Sequence, residues 1–264
     1  MLCFYLVIVV QILLESFPVS SSGHVALIQK FPFLPLCDVE HFLSCEPLQH
    51  LLHGPTIVIL SLFFFHRWKH FFSAAHFSVK KMVVLLLFIG CADAITMLFY
   101  FFFKRVGTGW FPASVGFLFT SLVLSSLLLL PSIRLFLRRP NNFYLPIVLG
   151  AVQGIALLPG ISRFGTTFVA GRWLGLSPQQ SFEYSFLIQW PLLVGAFCKS
   201  MRFFAQGSCP DIIFFLFTWQ TALVLMVSCV GAYYALRFVQ RLAYKQMLWI
   251  FSFYLIIPFV LSLL

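Results

Sequence analysis

Residues 81–103, KMVVLLLFIGCADAITMLFYFFF, carry a single acid, Asp93, in a run otherwise suited to hydrocarbon. A helix needs about 20 such residues to cross the roughly 30 Å apolar core of a bilayer. Comparable runs fall at about 48–66, 112–133, 181–201, 211–236 and 245–264, so six crossings are expected. The whole chain agrees: of 264 residues 61% are hydrophobic and 9% charged, 35 are Phe, and mean hydropathy is +0.99. That composition excludes an ordinary soluble domain. An outer-membrane barrel would show short alternating segments instead of these long runs. The expected class is an all-α polytopic membrane protein. The N-terminus, MLCFYLVIVV, has no basic n-region and no small-residue cleavage site follows it, so it is read as mature protein.

Two apolar runs are too short to cross. As helices, Leu2–Leu14 would cover about 20 Å and 143–158 about 24 Å. Each stops at a turn-forming stretch, FPVSSSGH (17–24) or LPGISRFGT (158–166), and a further short apolar piece follows. This pattern predicts a re-entrant helical hairpin in each half of the chain. A backbone break at membrane depth must be enclosed by protein or line a polar cavity, so each break marks a site. At an offset of 142 residues Gln11 matches Gln153, Ser20 matches Ser162 and Gly23 matches Gly165. A hairpin with no net crossing plus three spans reverses the second copy, giving an inverted-topology repeat of 1–133 and 143–264 within one membrane domain.

The net charge of +10 is read as a topology signal and not as a nucleic-acid footprint. With the N-terminus on one side, the opposite side receives eleven of the 17 cations: Arg67, Lys69, Lys80, Lys81, Arg134, Arg138, Arg139, Arg172, Arg237, Arg241 and Lys245. The N-terminal side receives five, Lys30, Lys104, Arg105, Lys199 and Arg202, and Arg163 lies inside the second break. The richer side is expected to be cytoplasmic, which turns both termini outward. Cys37 and Cys45 would share an outer loop, as a disulfide or as two free thiols.

Chemistry concentrates at the breaks. Gln11 and Glu15 lie four apart on one helical face, and no Lys or Arg stands within a turn of Glu15. A carboxylate near the midplane costs at least about 2.5–3.5 kcal/mol, so Glu15 is a functional candidate, with capping of the next half-helix as the alternative. His24 stands beside Ser20, Ser21 and Ser22. A histidine near a hydroxyl and a carboxylate can activate an alcohol or a water. The three serines also suit an N-cap. In the second break, Ser162, Arg163, Thr166 and Thr167 surround Gly160 and Gly165. Glycines admit a ligand to the backbone, helix N-termini attract anions, and a guanidinium matches phosphate oxygens. Arg163 requires either an anionic ligand or Glu15 as partner. Two converging half-helices predict a buried anion on a greasy tail, such as a lipid phosphate or diphosphate. Asp93 and Glu183 have packing or helix-end roles open to them as well.

At ESFPVSSSGH (15–24) and PGISRFGTT (159–167) the sequence resembles the undecaprenyl-diphosphate phosphatase family of bacitracin-resistance membrane proteins. SFEYSFLIQWPLLVGA (181–196) and the 219–257 region look similar too. The resemblance implies removal of the terminal phosphate from a C55 polyprenyl diphosphate at the outer face of the bacterial cytoplasmic membrane, which recycles a carrier for peptidoglycan synthesis. It places catalytic roles on Glu15, Ser21 and His24, and phosphate binding on Ser162, Arg163 and Thr167; Ser20, Ser22 and Gly165, by their place in the two breaks, are further phosphate-binding candidates. It also implies a divalent cation, Mg or Ca, with Glu15 and Gln11 at the positions of an acidic pair. Gln11 replaces one of those acids, and Phe164 stands where a small hydroxyl residue is usual.

The rival is a lipid-phosphate transporter or flippase, because inverted repeats with broken helices also build transporters. Transport needs binding groups without a nucleophile, so phosphate release separates the two.

Overall fold

The computed structural model describes residues 2–30, 46–72, 79–129, 144–207 and 216–264. All regular elements among them are helical: α1 (Leu2–Leu14), α2 (Ser21–Lys30), α3 (Glu46–Leu51), α4 (His53–Phe72), α5 (Val79–Val106), α6 (Ala113–Ser125), α7 (Tyr144–Ile155), α8 (Arg163–Trp173), α9 (Pro178–Ala205), α10 (Trp219–Tyr244) and α11 (Ile250–Leu263). Residues 126–129 extend α6 as a 3₁₀ turn. Cys37 and Cys45 lie outside the described residues.

Among the described residues three helices are long and apolar enough to cross a membrane: Pro47–Trp68, Met82–Val106 and Trp219–Tyr244. Of the six crossings expected, the other three differ. Helix α9 has 28 residues, about 42 Å of rise, yet its buried positions include Ser181, Ser185, Gln189 and Ser200, because polar side chains are turned inward. The run at 112–133 is helical from Ala113 and passes into the 3₁₀ turn at Ser126. The run at 245–264 begins its helix only at Ile250, because Gln246 sits at φ 61° and Met247 N donates to Leu242 O (2.8 Å), ending α10 in a left-handed turn. The run at 211–236 starts its helix at Trp219, where Thr218 caps it, and continues to Tyr244.

Helices α6 and α11 pack along each other, α1 lies against α10, and α7 lies against α5. Short α8 is enclosed: every residue from Phe164 to Arg172 is buried. It packs on α9, where Phe164 stacks on Phe186 (4.6 Å between ring centres) and meets Phe182 edge-on. The outer surface of the bundle is apolar, as a lipid-facing surface must be: Leu87, Leu98 and Phe101 of α5 and Val227, Val230 and Phe238 of α10 are all exposed.

At one end Arg67 pairs with Glu183 and lies over the ring of Tyr244 (5.9 Å), while Arg172 donates to Gln246 Oε1 (2.9 Å). Lys199 and Tyr100 meet elsewhere (3.2 Å).

Candidate functional site: a pocket between two helix breaks

The chain breaks after α1 because Pro18 supplies no amide hydrogen and the turn needs an unusual residue conformation. Ser20 adopts φ 60°, a left-handed geometry that is uncommon outside glycine. Its side chain starts α2 by accepting from Gly23 N (3.3 Å). The second break also joins a left-handed residue to a serine cap, but on two separate residues. Gly160 takes φ 82°, and Ser162 caps α8 by accepting from Gly165 N (3.1 Å). Thr120 of α6 holds that turn, donating to Gly160 O (3.2 Å) and accepting from Ser162 N (3.1 Å).

Glycine is required where the two tips touch. A Cβ on Gly23 would lie 2.7 Å from Gly160 Cα, and one on Gly160 would lie 2.2 Å from Ala113 O. On the other side of the contact, a Cβ on Gly165 would meet Pro18 Cβ at 3.2 Å. The N-termini of α2 and α8 are therefore brought together, and Ser21 and Arg163 are their first residues.

Glu15 is the hub, buried with 7% of its surface exposed. Ser21 Oγ donates to Glu15 Oε2 at 2.6 Å, and Gln189 Nε2 donates to Glu15 Oε1 at 2.7 Å. The Arg163 guanidinium stands 3.9 Å from the same Oε1. His53, at the start of α4, is buried and lies within electrostatic reach of the carboxylate. This buried acid thus has its opposite charge from the other helix break and neutral donors on both oxygens.

A half-open pocket lies between the breaks; its polar wall is Glu15, Ser20, Ser21, Ser22, Ser162, Arg163 and Gln189. Leu14, Phe17, Ile161 and Phe164 supply the apolar wall. The mixture suits an anionic headgroup on a hydrocarbon tail.

The remaining sequence-expected residues stand behind this wall. Gly165 and Thr167 serve α8: the glycine amide goes to the Ser162 cap, and Thr167 Oγ1 donates to Arg163 O (2.7 Å). His24 is joined to neither Glu15 nor Ser21. Its Nδ1 meets Ser20 O at 2.7 Å and its Nε2 meets Tyr254 OH at 3.0 Å, with Tyr254 stacked on the ring and Phe117 against its edge. Gln11 is buried, and its Oε1 has no partner.

Sequence reading missed Gln189, Tyr254, His53 and Thr120. The signal for Gln189 was one amide in the apolar stretch SFLIQWPLL, just before Pro191. Tyr254, in an aromatic-rich helix, carried no signal.

The side chains present do not form a seat for a divalent cation. No group of three or more His, Cys, Asp or Glu occurs among the described residues. Among the described residues the only carboxylate lining the pocket has donors on both oxygens and a guanidinium beside it. A cation there would displace a hydrogen bond and face a like charge, whereas Mg²⁺ and Ca²⁺ seek several oxygen ligands.

The family model for bacitracin resistance protein BacA matches residues 5–261. An undecaprenyl-diphosphatase of Borrelia hermsii is 28% identical over 262 residues, covering 94% of this chain and 92% of that protein. That of Treponema denticola is 27% identical, covering 94% and 90%. Undecaprenyl-diphosphatase 2 of Acinetobacter baylyi is 32% identical over 202 residues, 70% of this chain and 67% of that one. With the match running through both helix breaks and nearly end to end, the chain belongs to the BacA bacitracin-resistance family.

Proposed function

We infer that this protein is an undecaprenyl-diphosphatase, a membrane hydrolase that releases the terminal phosphate of undecaprenyl diphosphate and returns the monophosphate carrier to cell-wall synthesis. Family membership and the names of its relatives support the substrate. The observation that carries the chemistry is the 2.6 Å bond from Ser21 to Glu15, facing Arg163 across the pocket. Ser21 Oγ attacks the terminal phosphorus and its proton passes to Glu15; the bond to the bridging oxygen breaks, and the departing undecaprenyl phosphate takes that proton from Glu15, which is ionised again. Water then cleaves the phosphoseryl bond: Glu15 takes a proton from the water and returns it to Ser21 Oγ as the P–Oγ bond breaks and inorganic phosphate departs. Arg163, the hydroxyls of Ser20, Ser22 and Ser162, and the amides opening α2 and α8 hold the phosphoryl oxygens as charge builds on them. Gly165 and Thr167 fix the α8 end of that cradle. His24 steadies the left-handed turn through Ser20 O. The prenyl tail leaves past the apolar wall into lipid.

The two halves form an inverted repeat in this reading, comprising residues 1–133 and 143–264. Its supports are paired features at the 142-residue offset: the Ser20 and Ser162 caps, the bonds to Ser20 O from His24 and to Ser162 O from Thr166 (both 2.7 Å), and the contacts Gly23–Gly160 and Gly165–Pro18. Swapping halves also exchanges the α1–α10 pair with α7–α5. The charge count supports a cytoplasmic-membrane orientation with termini and pocket mouth outward.

Purified protein in detergent is expected to release phosphate from undecaprenyl diphosphate, and Arg163→Ala to lower kcat/KM by about 10²–10³-fold through loss of its positive charge. Tight binding of the diphosphate without release would refute the hydrolase reading.

A further inference from the structure

We propose that the Gln189 amide occupies the place on Glu15 that a divalent cation would take, so the resting pocket holds no cation and Gln189 positions the carboxylate instead. The proposal rests on the hydrolase reading for its kinetics but not for its binding test.

Glu15 can only accept hydrogen bonds when ionised, and each oxygen has its donor. Ser21 takes Oε2, and Gln189 takes Oε1 from the facing side. Orientation of the amide is decided by chemistry: toward a carboxylate only the NH₂ end of Gln189 is attractive, and its Oε1 has no partner. Gln189 is 2% exposed and lies on α9, where Phe186, one turn earlier, stacks on Phe164 of α8. Its reach to Glu15 is therefore set by the packing that also holds Arg163. A neutral donor satisfies the carboxylate without competing for the substrate's charge, and leaves the guanidinium at 3.9 Å free to face a phosphate. A cation on Oε1 would remove the 2.7 Å bond and stand against Arg163. The second oxygen-rich residue on the Glu15 face, Gln11, offers an amide in place of a charge, so no neighbouring anion offsets that repulsion.

Glutamate at position 189 would reverse the balance. Two carboxylates would face each other across hydrogen-bond distance, and a cation would relieve their repulsion.

The test uses the full-length protein in detergent with Mn²⁺ as probe, read by electron paramagnetic resonance without substrate. Wild type is expected to show no site tighter than about 1 mM, and Gln189→Glu one site at least about tenfold tighter. Phosphate release by wild type should survive chelator within about twofold; Gln189→Glu should lose about tenfold in chelator and regain it with Mg²⁺. Gln189→Met, which keeps the shape and removes the donor, should lower kcat by about tenfold, with or without cation and with KM unchanged. A wild-type Mn²⁺ site that Glu15→Gln abolishes would overturn the proposal, as would equal Mn²⁺ affinity in wild type and Gln189→Glu. Full kcat in Gln189→Met would also overturn it. Absence of phosphate release from every variant would count against the hydrolase reading, while the resonance measurement would still decide this one.

Discussion

Glu15→Gln is the sharpest probe of the pocket because the two side chains have one shape and the three groups around Glu15 respond differently. Gln189 and Arg163 both address Oε1, which an amide oxygen can replace. Ser21 addresses Oε2 at 2.6 Å, where the variant presents an NH₂ that cannot take a proton. A positioned general base is worth about 10²–10⁴ in rate, so kcat should fall by about 10³, equivalent to about 4 kcal/mol. KM should move the other way or stay put. Two charges about 4 Å apart interact by roughly 4 kcal/mol near a protein surface, mostly offset by desolvation, and removing the anion leaves Arg163 more attractive to the substrate. Ser21→Ala should cost a similar factor in kcat. Because the hydroxyl and its base act as a unit, the double variant should be within about threefold of the worse single one. The assay is phosphate release from undecaprenyl diphosphate in detergent, with kcat and KM separated and folding checked by thermal melting. Retention of wild-type kcat by Glu15→Gln would refute the base assignment. Multiplicative losses in the double variant would refute a coupled pair, and full kcat in Ser21→Ala would transfer the attack from Ser21 to water.

Two further outcomes follow from the frame around the pocket. Gly160→Ala should destabilise the protein by about 2–4 kcal/mol, since the left-handed φ costs about 1–2 and the overlap with Ala113 O a similar amount. Gly195→Ala is its control: nothing lies within 4 Å of that Cβ, and alanine in the middle of α9 should be neutral or raise the melting temperature. An unchanged melting temperature in Gly160→Ala would show that the second break does not seat on α6 as described. Tyr254→Phe removes the hydroxyl on His24 Nε2 and keeps the stacked ring, so it should lower kcat less than about tenfold. A thousandfold loss would instead make the His24–Tyr254 contact a proton route.

The breaks in the helices were legible because they are local. Pro18 before three serines, and Pro159-Gly160 before Ser162, fix a turn and the helix start after it whatever surrounds them. The 142-residue offset likewise compares one local stretch with another along the sequence. Pocket-lining Glu15, Ser20, Ser21, Ser22, Ser162 and Arg163 all belong to these stretches. What escaped lies far away along the chain. Gln189 is 174 residues from Glu15, and Tyr254 is 230 from His24. From the sequence, Glu15 and the serine hydroxyls were the expected company of His24; packing gives it the Ser20 carbonyl and the Tyr254 hydroxyl. Helix lengths escaped where an apolar run contained a turn, as before α11, or where a long helix hid polar residues on its inner face, as in α9.

The two breaks each start a helix on a serine cap but divide the chemistry, and the division follows from electrostatics. At the 142-residue offset, Glu15 corresponds to Leu157, Ser21 to Arg163 and His24 to Thr166. With an acid in both breaks, two carboxylates would face each other in a poorly solvated pocket; with an arginine in both, two guanidiniums would repel, since the Ser21 and Arg163 positions head the converging helices. One acid and one base at 3.9 Å cancel in the resting state, which makes burial tolerable. They do not saturate each other, because 3.9 Å is an ion pair without a close hydrogen bond, and guanidinium donors remain for an incoming phosphate. The Glu15 side is closed by Ser21 and Gln189, both neutral. Positive potential from Arg163 and from the amides opening α2 and α8 therefore faces the cavity, while the negative charge is already hydrogen-bonded. A diphosphate entering such a pocket meets donors first and the base only through Ser21, which is the order that hydrolysis requires.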